Sequence, residues 1–150
     1  MSGHLLDTSV ISELAPDRTA RRDVLADWLQ AHGEALFVPV IAVAEIEQGI
    51  AKLHRKGGEE RAARLSDWLG RLVDGFGERV LNVDAVVARR AGALSDAATA
   101  AGDHPGLADV LIAATAAVHG FAVATRNTRH FAPLGVRCVD PFDGREGGGR

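Results

Sequence analysis

Four short segments of this chain set an acid or amide among apolar and hydroxyl residues: Leu5-Leu6-Asp7-Thr8-Ser9, Val43-Ala44-Glu45-Ile46, Leu107-Ala108-Asp109-Val110 and Ala124-Thr125-Arg126-Asn127. Oxygen donors converging from separate segments suit a hard cation such as Mg²⁺ or Mn²⁺. Clustered carboxylates repel one another, and a divalent ion is what holds them together. Beside a phosphodiester, such an ion polarises the phosphoryl group, activates a water and stabilises the leaving oxygen.

Each acid also has a plainer reading. Asp7, Thr8 or Ser9 could simply cap the next helix, because all three residue types accept bonds from orphan N–H groups. Glu45 and Glu47 lie on one predicted helix but point about 200° apart, so both cannot face one site. Glu45 shares its stripe with Ala42 and Gly49, small residues that suit close backbone packing, which marks it as the acid with a purpose; Glu47 reads as solvated. Asp109 sits in a first helical turn, where an aspartate also stabilises the helix dipole. Asn127 offers an uncharged oxygen, while Asp103 and His104 read as a solvated turn. Zinc is disfavoured, since the six His are scattered without HExxH or His–Cys spacing. Neither GxGxxG, GxxxxGK[ST] nor GxSxG occurs, and Cys138 reads as core.

The elements that must position these residues alternate. Apolar runs at 3–6, 35–38, 79–83, 121–124 and 136–139 predict five strands. Helical periodicity predicts helices over 21–30, 41–53, 59–73, 84–98 and 107–119, the last stopped by Gly120. Strand–helix alternation implies a mainly parallel sheet with right-handed crossovers and helices on both faces. All strand carboxyl ends then share one edge, which brings Asp7, the helix after 39, the helix at 107 and Thr125-Arg126-Asn127 together.

The 150 residues, 47% hydrophobic, are enough for one core without staples. A domain over 1–142 is expected, with a Gly-rich charged tail over 143–150 expected to lack structure. A single cysteine agrees with a reducing cytoplasm, and no signal peptide or membrane span is expected. The net charge of −3 argues against nonspecific binding driven by bulk positive charge, yet leaves room for a nucleic acid held by a few Arg at an acidic site.

In their order and separation, these motifs resemble the PIN-domain ribonucleases, specifically the VapC/FitB-like toxins of bacterial toxin–antitoxin pairs. The similarity runs from Leu5-Leu6-Asp7-Thr8-Ser9-Val10-Ile11-Ser12-Glu13-Leu14 through Val43-Ala44-Glu45-Ile46 with Gly49-Ile50. It continues in Ala108-Asp109-Val110-Leu111-Ile112-Ala113-Ala114-Thr115-Ala116, His119-Gly120, Ala124-Thr125-Arg126-Asn127-Thr128-Arg129-His130-Phe131 and Asp140-Pro141-Phe142. The resemblance implies a three-layer α/β/α sandwich with a mainly parallel sheet of about five strands. It implies an Mg²⁺ site, with Mn²⁺ an alternative, held by Asp7, Glu45 and Asp109, with Asn127 as a fourth catalytic position. Thr8, Ser9, Thr125 and Arg126 would support carboxylates or contact phosphate. Related sequences often carry a further acid where this chain has Asn127 and His130. The implied activity is RNA hydrolysis; the implied partners are RNA, a cognate antitoxin, a second copy of the chain along the Trp28 and Trp68 helices, and operator DNA bound with the antitoxin. Two other readings stay open: a metal-dependent DNA nuclease of the same fold, and a PIN module with lapsed chemistry acting through antitoxin and DNA.

Overall fold

The computed structural model describes residues 2–18, 22–143 and 145–147. Strand β1, His4–Leu6, lies at the heart of the sheet, with β2, Leu36–Pro39, on one side and β4, Ala122–Ala124, on the other, both parallel to it. The short β3, Val80–Leu81, extends the sheet beyond β2, and β5, Cys138–Asp140, beyond β4. The resulting order is β3-β2-β1-β4-β5, closed by β6, Arg145–Gly147, which runs antiparallel to β5. Leu5, Leu6, Val38, Val123 and Ala124 are fully buried. These strands are covered on both faces, and that is why their sequences read as continuous apolar runs rather than alternating ones.

Successive strand residues feed different cores. Leu5 and Val123 pack with α5 (Ala85–Ala100), α6 (Leu107–His119) and Phe131 of the short α7 (Thr128–Phe131). Leu6, Val38 and Ala124 pack on the other face with α1 (Thr8–Ile11), α2 (Arg22–His32) and α3 (Val40–Arg55). Helix α4, Glu59–Phe76, forms a hairpin with α3 through Ile50, Ala62 and Leu69. The three-layer α/β/α expectation is met, with five parallel strands.

Local chemistry sets the boundaries. Asp84 caps α5 by accepting the Val87 N–H at 2.9 Å. Gly120 ends α6 in the left-handed region at φ 71°, where a side chain would be strained. Among the described residues, no helix is long and apolar enough to cross a membrane.

Several boundaries differ from expectation. The strand expected over 79–83 shrinks to two residues, because Arg79 closes a 3-10 turn and donates to the Leu36 carbonyl from its side chain. Within the tail expected to lack structure, Arg145–Gly147 forms β6 by pairing with the open outer edge of β5; residues 144 and 148–150 lie outside the described residues. Gly49 does not pack against a neighbouring backbone as expected: a Cβ there would meet open space. Trp28 and Trp68, on the helices expected to carry the dimer surface, are half-buried against the protein's own core.

Candidate active site

The sheet order reverses direction between β1 and β4, the place where open α/β sheets leave a crevice beyond the strand ends. Leu6 pairs with Ala124, so Asp7 and Thr125 leave the sheet side by side. The Asp7 N–H still donates to the Ala124 carbonyl at 2.9 Å, which fixes its backbone, and the side chain is 5% exposed.

Two hydroxyls hold one carboxylate oxygen of Asp7. Ser9 and the fully buried Thr125 both donate to Oδ2 at 2.8 Å. Their own acceptor sites are taken from behind: the Arg126 N–H donates to Ser9 Oγ at 3.2 Å and the Asn127 N–H to Thr125 Oγ1 at 2.9 Å. Each hydroxyl has one proton, and this pattern sends both to Asp7. The 3.3 Å contact between Ser9 Oγ and Thr125 Oγ1 therefore carries no proton of its own. Oδ1 of Asp7 accepts no hydrogen bond among the described residues.

Glu45, half-buried on α3, is held by the neighbour of Asp7: Thr8 Oγ1 donates to Glu45 Oε1 at 2.7 Å. Glu47 is exposed, as its position on the helix implied. Asp109, in the first turn of α6, has its carboxyl pushed above the usual aspartate range, chiefly by burial and then by the charge of Asp7. His130 opposes the shift with Nδ1 3.6 Å from Asp109 Oδ2, and Glu45 adds to it. Asp7 and Glu45 thus both lie within electrostatic reach of Asp109.

As placed, no three His, Cys, Asp or Glu side chains among the described residues close around a single point as metal ligands. Coupling and closure are different tests. Like charges on three separate elements repel one another, and a bound divalent cation would offset that repulsion. The donor set, all carboxylate oxygen with hydroxyl support behind it, fits a hard cation. Asp7, Glu45 and Asp109 are the residues that would hold it.

The remaining expected positions fall into place unequally. Thr8, Ser9 and Thr125 support the carboxylates directly. Arg126 contributes its N–H to that network, while its guanidinium turns away to Glu13 at 2.6 Å and lies over the Phe142 ring at 5.1 Å. Asn127 is exposed, and no hydrogen bond links its side chain to the acids. Sequence reasoning missed Glu13. It lies three residues after the buried Val10 and is itself 8% exposed, so an acid on an apolar face was the available signal. A groove of about 350 Å³ opens beside Glu45, lined by Thr8 and Gly49 and by the apolar Ile46, Ile50 and Trp68.

Comparison with known proteins matches this architecture. The PIN domain family model covers residues 4–135. The chain is 38% identical over 143 residues to the VapC ribonuclease Y4jK of Sinorhizobium fredii, an alignment covering 93% of this chain and 97% of that one. It superimposes on the crystal structure of FitAcB from Neisseria gonorrhoeae with a TM-score of 0.79 and 32% identity, covering 93% and 98% of the two chains. A structure of FitAB bound to an IR36 DNA fragment gives a TM-score of 0.77 at 32% identity, covering 93% and 95%. The chain belongs to the PIN-domain family, among its VapC- and FitB-type toxins.

Proposed function

We propose that this chain is a divalent-metal-dependent endoribonuclease, the toxin of a toxin–antitoxin pair, acting on cytoplasmic RNA. The observation that carries the reading is the hydroxyl-supported acid set Asp7, Glu45 and Asp109 at the strand ends of a PIN fold. A bound Mg²⁺ or Mn²⁺ would supply phosphoryl polarisation and a water of lowered pKa. The chain's own contribution is orientation. Ser9 and Thr125 fix Asp7 with Oδ1 facing away from their bonds, and Thr8 fixes Glu45. The relative named as a ribonuclease supports RNA as substrate. The neighbours solved as FitAcB and as FitAB on DNA support an antitoxin partner and, with it, operator DNA; a homodimer is part of the same proposal.

Purified protein and its Asp7→Asn variant, incubated with matched labelled RNA and DNA in Mg²⁺, Mn²⁺ or EDTA, test this. RNA cutting that needs both metal and Asp7 is expected. Cutting of DNA alone would move the substrate class, and metal-independent cutting would refute the site. A second reading, a lapsed module acting through antitoxin and DNA, is favoured by Asn127 and His130 standing at positions where the family resemblance implies that a further acid is often found. Absence of RNA cutting together with retained antitoxin-dependent DNA binding would select it.

A further inference from the structure

Among the described residues, three openings border the acid centre: two meet Glu45, one of these lined also by Lys52 and Arg55, and one meets Asp109. On the Glu45 side, the groove beside Trp68 is lined by two guanidiniums that are already matched: Arg61 pairs with Asp17, and Arg18 lies 3.9 Å from Glu13. On the Asp109 side, a cleft of about 280 Å³ is lined by His104, Gly106, Asp109, Arg129, His130 and Pro133. Its lining comes from the α5–α6 loop, the first turn of α6, α7 and the turn that follows α7. Phe131, fully buried, anchors α7, so Arg129 and His130 are presented from a fixed base.

Arg129 is exposed and makes no ion pair or hydrogen bond with any described residue. His104 likewise has no such partner among them. An unneutralised guanidinium in a concave wall beside a carboxylate centre is open to an anion from outside the chain. A guanidinium with imidazole N–H groups around it suits phosphate oxygens, which Arg binds through a planar fork of donors.

We infer that the cleft formed by His104, Arg129 and His130 is a phosphate subsite, taking the backbone phosphate of an RNA strand one link away from the phosphodiester presented to Asp7, Glu45 and Asp109. This rests on the nuclease reading above and adds a direction to it: the strand's backbone leaves the acids past Asp109, where a guanidinium and two imidazoles share one cleft. The donors of the subsite are the chain's own side chains, so RNA binding there is read without metal. Phosphate contacts position a strand without reading its sequence.

The test is the anisotropy of a fluorescein-labelled single-stranded RNA of mixed sequence, titrated with the full chain in EDTA over a series of salt concentrations. Wild-type binding is expected to weaken with salt. Arg129→Ala is expected to bind several-fold more weakly, with the slope of log K against log salt reduced by about 0.7, the value for one fewer single-strand phosphate neutralised. Arg129→Lys should recover much of the affinity. Arg89→Ala, a change of an exposed residue on α5, is the control and should match wild type. Equal affinity and slope for wild type and Arg129→Ala would overturn the subsite, as would no wild-type binding at low salt. A loss of antitoxin binding alone would assign Arg129 to a protein partner and overturn it equally. Cleavage with Mg²⁺ is measured in parallel: RNA cutting with Arg129-independent binding sinks the subsite alone. Arg129-dependent binding without cutting sinks the nuclease reading alone.

Discussion

Arg126 Nη1 lies 2.6 Å from Oε1 of Glu13, a carboxylate that is almost wholly buried. The pair joins the turn after β1 to the loop after β4. The same Arg126 gives its backbone N–H to Ser9, so the ion pair braces the loop whose amides aim the two hydroxyls at Asp7. Arg126→Ala would leave Glu13 with only the distant, exposed Arg18. A loss of about 1–3 kcal/mol is expected in urea unfolding, the cost of stranding a mostly buried acceptor. Glu13→Gln, which removes the charge needing compensation, should lose less. An Arg126→Ala protein as stable as wild type would show that the brace is superfluous.

Thr125→Val keeps the shape of a fully buried side chain and deletes the hydroxyl that donates to Asp7. It also leaves the Asn127 N–H without its acceptor. Groups behind metal-binding carboxylates are worth roughly 10–100-fold in metal affinity or activity. Cleavage titrated with Mg²⁺ should therefore need more metal for half-maximal rate in Thr125→Val, while Thr125→Ser stays near wild type. An unchanged titration would remove Thr125 from the site.

Burial, followed by the charges of Asp7 and Glu45, raises the Asp109 carboxyl above its value in the unfolded chain, partly offset by His130. The native state then holds the proton more tightly than the unfolded state. Stability in EDTA must fall as pH rises through the window from about 3.8 to the raised value, and the penalty persists at neutral pH. Asp109→Asn should accordingly raise the Tm in EDTA modestly at pH 7, with the gain vanishing toward about pH 3.5, below the unfolded-state value. Saturating Mg²⁺ should reverse the order, because binding to the native state then favours the wild type. A Tm lowered by Asp109→Asn in EDTA would contradict the electrostatic account.

Cys138, half-buried on β5, has its thiol pushed up to about 11 by burial and then by the Asp7 charge. Thiolate is the reactive form, so at pH 7 only about one molecule in ten thousand carries it. Reaction with Ellman's reagent should be slow in the native protein and fast in guanidinium chloride. Rapid native labelling would mean that β5 opens readily.

What the sequence disclosed and withheld follows from the range of the interactions. Asp7, Glu45 and Asp109 were legible because each sits in a local pattern: the end of an apolar run, a stripe of small residues, a first helical turn. Gly120 was legible for the same reason, since a helix stop is written within a few residues. Glu13 was not, because its meaning depends on Arg126, 113 positions away. The role of Gly49 was misread because a small residue serves close packing and an open groove equally well, and only the placement of α4 decides. Short elements such as α7 and β6 carry too few residues for a periodicity, and they form through contacts with β5 and the core.

The bond from Thr125 to Asp7 spans 118 positions of the chain. During synthesis Asp7 leaves the ribosome well before its supporting hydroxyl and the amides behind it. A nascent chain halted before β4 contains Asp7, Glu45 and Asp109 and still lacks the hydroxyl after β4 that holds Asp7. Competence at this centre therefore waits until β4 and the loop after it are available to fold.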